Sequence, residues 1–215
     1  MYKLYKNFLP HDKAWNLAVE IDSTPASWWS KAIKHEGLEK PLYLQDNVNG
    51  MRHEYDQDHA LRKSVENGSF SYKFRRSTGH VEHCGCYECD FKNNFLQGEE
   101  FIEFLKKETH LEQPELFEMF VSAYHPGDFL SQHTDEERGI AFIFHLSWDW
   151  KPEYGGTFML EKEEGEGYDA YVPGWGDLCI MELGETGQNH MVTQVSDLAP
   201  RPRLAITGWF NEGKK

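Results

Sequence analysis

The chain is short of several features that usually announce a protein's class. Four cysteines in 215 residues are too few for a disulfide scaffold, and three of them, Cys84, Cys86 and Cys89 in HCGCYEC, stand too close together for easy mutual bridging. Basic residues are outnumbered: 22 Lys and Arg against 36 Asp and Glu give a formal charge of −14. That charge repels phosphate backbones and anionic lipid heads alike, so neither nucleic acid nor a membrane is expected as a partner. No run of about 18 apolar residues is present to span a bilayer, and the opening MYKLYKNFLPHDKAW has no continuous apolar stretch of signal-peptide type. The expectation is a soluble, cytoplasmic protein, with its oligomeric state left open. Low-complexity tracts, internal repeats and Pro- or Ser-rich linkers are also missing, so nothing marks a split into separate units.

Aromatic residues are plentiful: 7 Trp, 10 Tyr and 14 Phe within a 39% hydrophobic content suffice for a substantial core. Helical patterns are predicted over 11–20, 27–36 and 98–109. Ser27 is placed to cap the second and Gly37 to stop it. In GEEFIEFLKKETH, Phe101, Ile102, Phe104 and Leu105 fall at helical spacing, with acids early and lysines late to suit the helix dipole. From about residue 115 the pattern changes to short apolar and polar runs broken by HPGD, EERG, EYGG, EEGEGY, VPGWGD and LGETG. This spacing predicts about eight strands with no long helix between them, which favours a double-sheet jelly roll over parallel crossover units. The fold expected is mainly β with supporting helices and a double-stranded β-helix (jelly-roll) core. Residues 1–114 are read as a helical and irregular support and substrate region, and 115–215 as the jelly-roll core of one compact unit.

One short stretch carries chemistry. In SQHTDEERG, alternation along a strand would aim His133 and Asp135 at one point while Thr134 faces away. Two ligands are not a metal site, and with 11 histidines in the chain a polar strand end explains the pair as simply. Glu136 and Glu137 read as solvated turn residues. A third ligand must come from another strand. His190 in GQNHMVTQV is the best candidate and His145 in FIFHL its rival. Two histidines and one carboxylate on a triangular face, with positions left open, suit non-haem Fe(II) and oxygen chemistry. In the last apolar run, RPRLAITGWF, Arg203, Ala205 and Thr207 share a face, so a guanidinium and a hydroxyl can project together toward a carboxylate. The alternative is that Arg203 pairs with one of the many acids.

The ordered segments YHPGDFLSQHTD, FIFHLSWDWKPEYGGTFML, GDLCIME, NHMVTQV and PRLAITGWF together resemble the Fe(II)- and 2-oxoglutarate-dependent dioxygenases of the prolyl 4-hydroxylase type, over about residues 118–211. Within them the closest likeness is to the intracellular prolyl and ribosomal-protein hydroxylases. The resemblance implies a jelly roll with His133, Asp135 and His190 as iron ligands. It further implies Arg203 on the distal carboxylate of 2-oxoglutarate, with Thr207 and Tyr124 beside it. His145 stands where several relatives carry tyrosine. It is read either as a cosubstrate contact or as a satisfied core histidine. Gly155 and Gly156 match a glycine pair of the family. The implied cofactors are Fe(II), 2-oxoglutarate and O2, with ascorbate as a candidate accessory reductant. The implied reaction is hydroxylation of an unactivated C–H bond with release of succinate and CO2, on a prolyl residue of a protein or peptide. Free proline or another amino acid is the nearest alternative substrate. Presence of Asp135 favours hydroxylation over halogenation. A non-catalytic jelly-roll metal-binding or sensing module is the rival reading, and a carboxylate clamp would be of no use to it. A cupin-like metalloenzyme would be expected to use more histidines.

Three features remain outside this scheme. His80, His83, Cys84, Cys86 and Cys89 crowd one short stretch. They fit packing cysteines in a turn, a structural zinc site lacking the usual second pair, or a substrate-facing loop. Cys179 reads as a buried strand residue. Trp28, Trp29, Trp148, Trp150 and Trp175 read as core or as groove lining.

Overall fold

A computed structural model describes residues 2–35, 38–43, 58–77, 85–135, 139–162, 166–183 and 187–213. Among them the chain begins with β1 (Tyr2–Tyr5), α1 (His11–Asp22), a short 3-10 turn (Ala26–Trp28), β2 (Trp29–His35) and β3 (Leu38–Tyr43). A helix over residues 58–66, α2, precedes β4 (Tyr72–Ser77), α3 (Tyr87–Asp90), a π-helical segment (Phe91–Leu96) and α4 (Glu99–Glu108). Eight strands follow: β5 (Pro114–Tyr124), β6 (Phe129–His133), β7 (Ile140–Leu146), β8 (Phe158–Glu161), β9 (Tyr168–Tyr171), β10 (Trp175–Glu182), β11 (His190–Val192) and β12 (Arg203–Glu212).

All the strand pairs are antiparallel. They run in the order β1-β10-β7-β12-β5-β4-β6-β11-β8-β9, with β2 and β3 added beyond β4. Strand β4 is where the sheet turns over: Arg75 and Arg76 pair with β5, whereas Tyr72 and Lys73 pair with β6. The curled sheet encloses one core, and helices cover its outside with another, which is the jelly roll expected from turn spacing. Strand β7 shows why its sequence, IAFIFHL, has no alternation: every residue is buried. Phe142, Phe144 and Leu146 join the outer core under α1 and α4, with Ala14, Leu17, Phe101 and Leu105. Ala141 and Ile143 join the inner core with Phe158, Leu160, Met181 and Val192. A strand covered on both faces reads as a continuous apolar run.

Helices α1 and α4 form where their patterns predict. The helix expected over 27–36 does not: Ser27 lies in the 3-10 turn, and Trp29–His35 is a strand paired on one side with β3 and on the other with β4. Trp29, Ala32, Ile33 and His35 are buried there, and two ladders of hydrogen bonds outweigh a weak helical pattern. The first part of the chain is therefore richer in sheet than expected, with β1 through β4 all joined to the large sheet. Among the described residues no helix is long and apolar enough to cross a membrane.

Candidate active site

The inner core opens into a cavity of about 220 Å³ lined by His133, Asp135, His190, Tyr124, Arg203 and Thr207, among others. Sheet register brings the three candidate ligands together. His190 opens β11 and pairs with His133 at the end of β6, while Asp135 follows His133 by two residues. One ligand atom from each of the three lies within 4.8 Å of the others. Nε2 of His133 is 3.7 Å from one Asp135 carboxylate oxygen, and Nε2 of His190 is 3.6 Å from the other.

The imidazoles are held in one tautomer. Nδ1 of His133 lies 3.0 Å from the Ser131 carbonyl, and Nδ1 of His190 lies 2.8 Å from the Gln188 carbonyl. A carbonyl only accepts, so each Nδ1 carries the proton and each Nε2 presents a lone pair to the shared space. Burial and the neighbouring His190 push the His133 pKa down to about 4, which keeps that lone pair free at neutral pH. Two imidazoles and a carboxylate converging with an open side make a donor set that fits Fe(II). Asp135 is also oriented from behind, because the Trp209 indole N–H donates to it at 2.9 Å.

Beyond this triad lies a buried cation without a counter-ion. Arg203 is 2% exposed, and no carboxylate pairs with it among the described residues. Its Nη2 stands 3.4 Å from Nδ1 of His145, its guanidinium lies 5.1 Å from the Tyr124 ring centroid, and its Nε has no hydrogen-bond partner. Burial lowers its pKa to about 10, so it remains charged at neutral pH with no paired carboxylate among the described residues. Such a group calls for an anionic ligand. The backbone makes way for it at Gly156, where a Cβ would stand 2.9 Å from the Arg203 Cδ at a φ of +61°; glycine tolerates both the φ and the approach.

Tyr124 and Arg203 are cross-strand partners in β5 and β12, and burial raises the Tyr124 phenol well above its usual pKa. Thr207 lies two same-face positions further along β12 from Arg203, past Ala205. His145 is buried behind Arg203, and burial followed by the guanidinium holds its pKa well below the ordinary value. It is not in the three-ligand group. None of Trp28, Trp29, Trp148, Trp150 and Trp175 lines the cavity; Trp29 and Trp150 are buried in the two cores. Cys179 is buried, as expected. His80, His83, Cys84, Glu136 and Glu137 lie outside the described residues. Cys86 caps the start of α3, where its Sγ accepts from the Cys89 N–H.

Sequence reasoning missed several residues of this cavity. Trp209 was within reach, since it continues the Arg203, Ala205, Thr207 face. Phe70, Tyr72, Phe74 and Phe120 form an aromatic wall that no local signal reveals, because it is assembled by the pairing of β4 with β5 across a long stretch of chain.

Comparison with known proteins agrees with this architecture. Residues 119–211 match the 2OG-Fe(II) oxygenase superfamily. Among solved structures, a Pseudomonas putida prolyl-4-hydroxylase is similar at a TM-score of 0.60 and 18% identity, covering 99% of this chain and 93% of that one. An oxygenase of the same superfamily from Burkholderia pseudomallei gives 0.65 and 10%, covering 99% and 86%. A Trichoplax adhaerens prolyl hydroxylase in complex with a hypoxia inducible factor peptide gives 0.63 and 14%, covering 98% and 83%. At such identities the likeness establishes the fold. No curated protein matches the sequence.

Proposed function

We propose, from the premise that this chain is a 2OG-Fe(II) oxygenase by its domain at residues 119–211, that it hydroxylates a prolyl residue in a protein or peptide. The observation that supports this most is the buried, uncompensated Arg203 in the same cavity as the two-histidine, one-carboxylate group. A metal-binding module has no use for that cation, whereas a dicarboxylate cosubstrate does.

In this reading His133, Asp135 and His190 hold Fe(II). Arg203 donates to the distal carboxylate of 2-oxoglutarate, with the Thr207 and Tyr124 hydroxyls beside it. His145 accepts from Arg203 and fixes the guanidinium plane. Trp209 keeps the Asp135 carboxylate turned toward the histidines. When bound, the iron supplies activation of O2 coupled to conversion of 2-oxoglutarate to succinate and CO2, and so hydroxylation of an unactivated C–H bond. The protein's contribution is placement and a dry site: the inner core seals one side and the aromatic wall of Phe70, Tyr72, Phe74 and Phe120 shapes the other. Such a wall suits an apolar ring presented edge-on, and the Trichoplax neighbour is described with a peptide bound. Residues 1–114, which supply Phe70, Tyr72 and Phe74, serve as support and substrate region. The protein works in the cytoplasm, and ascorbate is an accessory reductant.

A turnover screen measuring succinate against proline-containing peptides, free proline and other free amino acids tests this. Stimulation by a subset of the peptides is expected. Stimulation by free amino acids alone would move the substrate to the small-molecule class, and no stimulation by any proline compound would remove the prolyl assignment.

A further inference from the structure

We infer that Phe70, which lies outside the stretch matching the superfamily, is a positioning residue for the metal ligand His133. The inference rests on the iron reading of the triad and adds a residue to it. The His133 ring hydrogen-bonds from Nδ1 to the Ser131 carbonyl and also meets the His190 backbone. Contacts at the ring edge do not by themselves fix the ring plane, and pivoting swings the Nε2 lone pair away from the other ligands. Two neighbours stop it. His190 stands at 4.1 Å between ring centroids, inclined by 53°. Phe70 lies nearly parallel to the imidazole, at 4.6 Å and 10°. His133 is thus slotted between a fellow ligand and a flat apolar ring.

Phe70 is itself fixed. The Lys34 ammonium sits 4.5 Å from its ring centroid, a cation–π contact, and Tyr72 meets it edge-on at 5.4 Å. The backbone secures the register. The Ser71 N–H donates to the Ser131 Oγ at 2.8 Å, and the Ser131 N–H donates to the Ser71 carbonyl at 2.9 Å. The residue after Phe70 is therefore tied twice to the residue two positions before His133. In metal sites, removing a group that orients a ligand commonly costs about 10–100-fold in metal affinity. Here the orienting group is a stacked ring, and it arrives from a different part of the chain from the ligands.

The test is Mn(II) binding to the full chain without cosubstrate, followed by electron paramagnetic resonance, in Phe70→Leu and Phe70→Tyr. Leucine keeps an apolar side chain but no flat face, whereas tyrosine keeps the ring. Phe70→Leu is expected to weaken Mn(II) binding about tenfold, with Phe70→Tyr staying within about twofold of wild type. The thermal midpoint of the metal-free variants serves as the control that a merely structural role would move instead. Should Phe70→Leu not fold, Phe70→Met takes its place with the same expectation. Wild-type affinity in the leucine or methionine variant, or an equal loss in the tyrosine variant, overturns the inference alone. Absence of Mn(II) binding by wild type, or His133→Ala binding as wild type does, overturns the metal reading and this inference with it.

Discussion

Arg203→Met separates what the active site needs from what the fold needs. In the free protein the guanidinium is 2% exposed and its pKa falls from 12.5 to about 10 through burial. That displacement corresponds to about 3 kcal/mol disfavouring the buried charge at neutral pH. Methionine has a similar stem and no charge. The metal-loaded variant without cosubstrate should therefore be more stable than wild type, by roughly 1–3 kcal/mol, or about 2–10 °C in midpoint for a chain of this size. Adding 2-oxoglutarate should stabilise wild type more than the variant and so close the gap. At about 100 times its Kd the ligand stabilises wild type by roughly 2.7 kcal/mol, and removing one partner of a buried charged hydrogen-bond pair weakens binding by roughly 2–5 kcal/mol, at least about 30-fold. Differential scanning fluorimetry with Mn(II), with and without 2-oxoglutarate, reads both effects. A variant less stable than wild type before cosubstrate is added, or one stabilised by 2-oxoglutarate as much as wild type, refutes the reasoning that Arg203 is held uncompensated for an anion.

Trp209→Phe keeps an aromatic ring and removes the N–H that meets Asp135 at 2.9 Å; metal affinity is expected to drop about tenfold, and an unchanged Mn(II) titration would show that Asp135 is oriented by other contacts. Asp128 gives a pH signature. Burial raises its pKa to about 6, so the fold prefers the neutral acid. The stability this group contributes is full below the ordinary carboxylate pKa, near 4, and is lost as pH rises toward 6. Asp128→Asn should therefore gain on wild type between pH 4 and 7, by roughly 1–3 kcal/mol in urea unfolding. A constant difference across that range would mean that Asp128 is not buried as a neutral group.

How much of this was legible in advance depended on whether the physics was local. Strand parity alone aimed His133 with Asp135 and Arg203 with Thr207. The repeated turns from residue 115 onward announced a jelly roll. His190 was legible through the ordered resemblance, because its pairing with His133 is a property of register between strands far apart in the chain. Strand β2 was misread because WWSKAIKHE has no clean period of either kind; what decides its conformation is pairing with β3 and β4. The aromatic wall and the Phe70 contact on His133 depend on that same pairing of β2 and β4. Arg203 shows the reverse. Thirty-six acids make a salt bridge the plain expectation, and only burial next to Tyr124 and His145 reveals that no acid among the described residues reaches it.

The central claim is that one cavity binds iron through His133, Asp135 and His190 and 2-oxoglutarate through Arg203. Its most direct test is the visible absorption spectrum of the protein under anaerobic conditions with Fe(II) and 2-oxoglutarate together. A weak charge-transfer band that requires both additions, and that disappears in His133→Ala, is the predicted result. Iron demonstrably bound to the protein with no such band at saturating 2-oxoglutarate would contradict it.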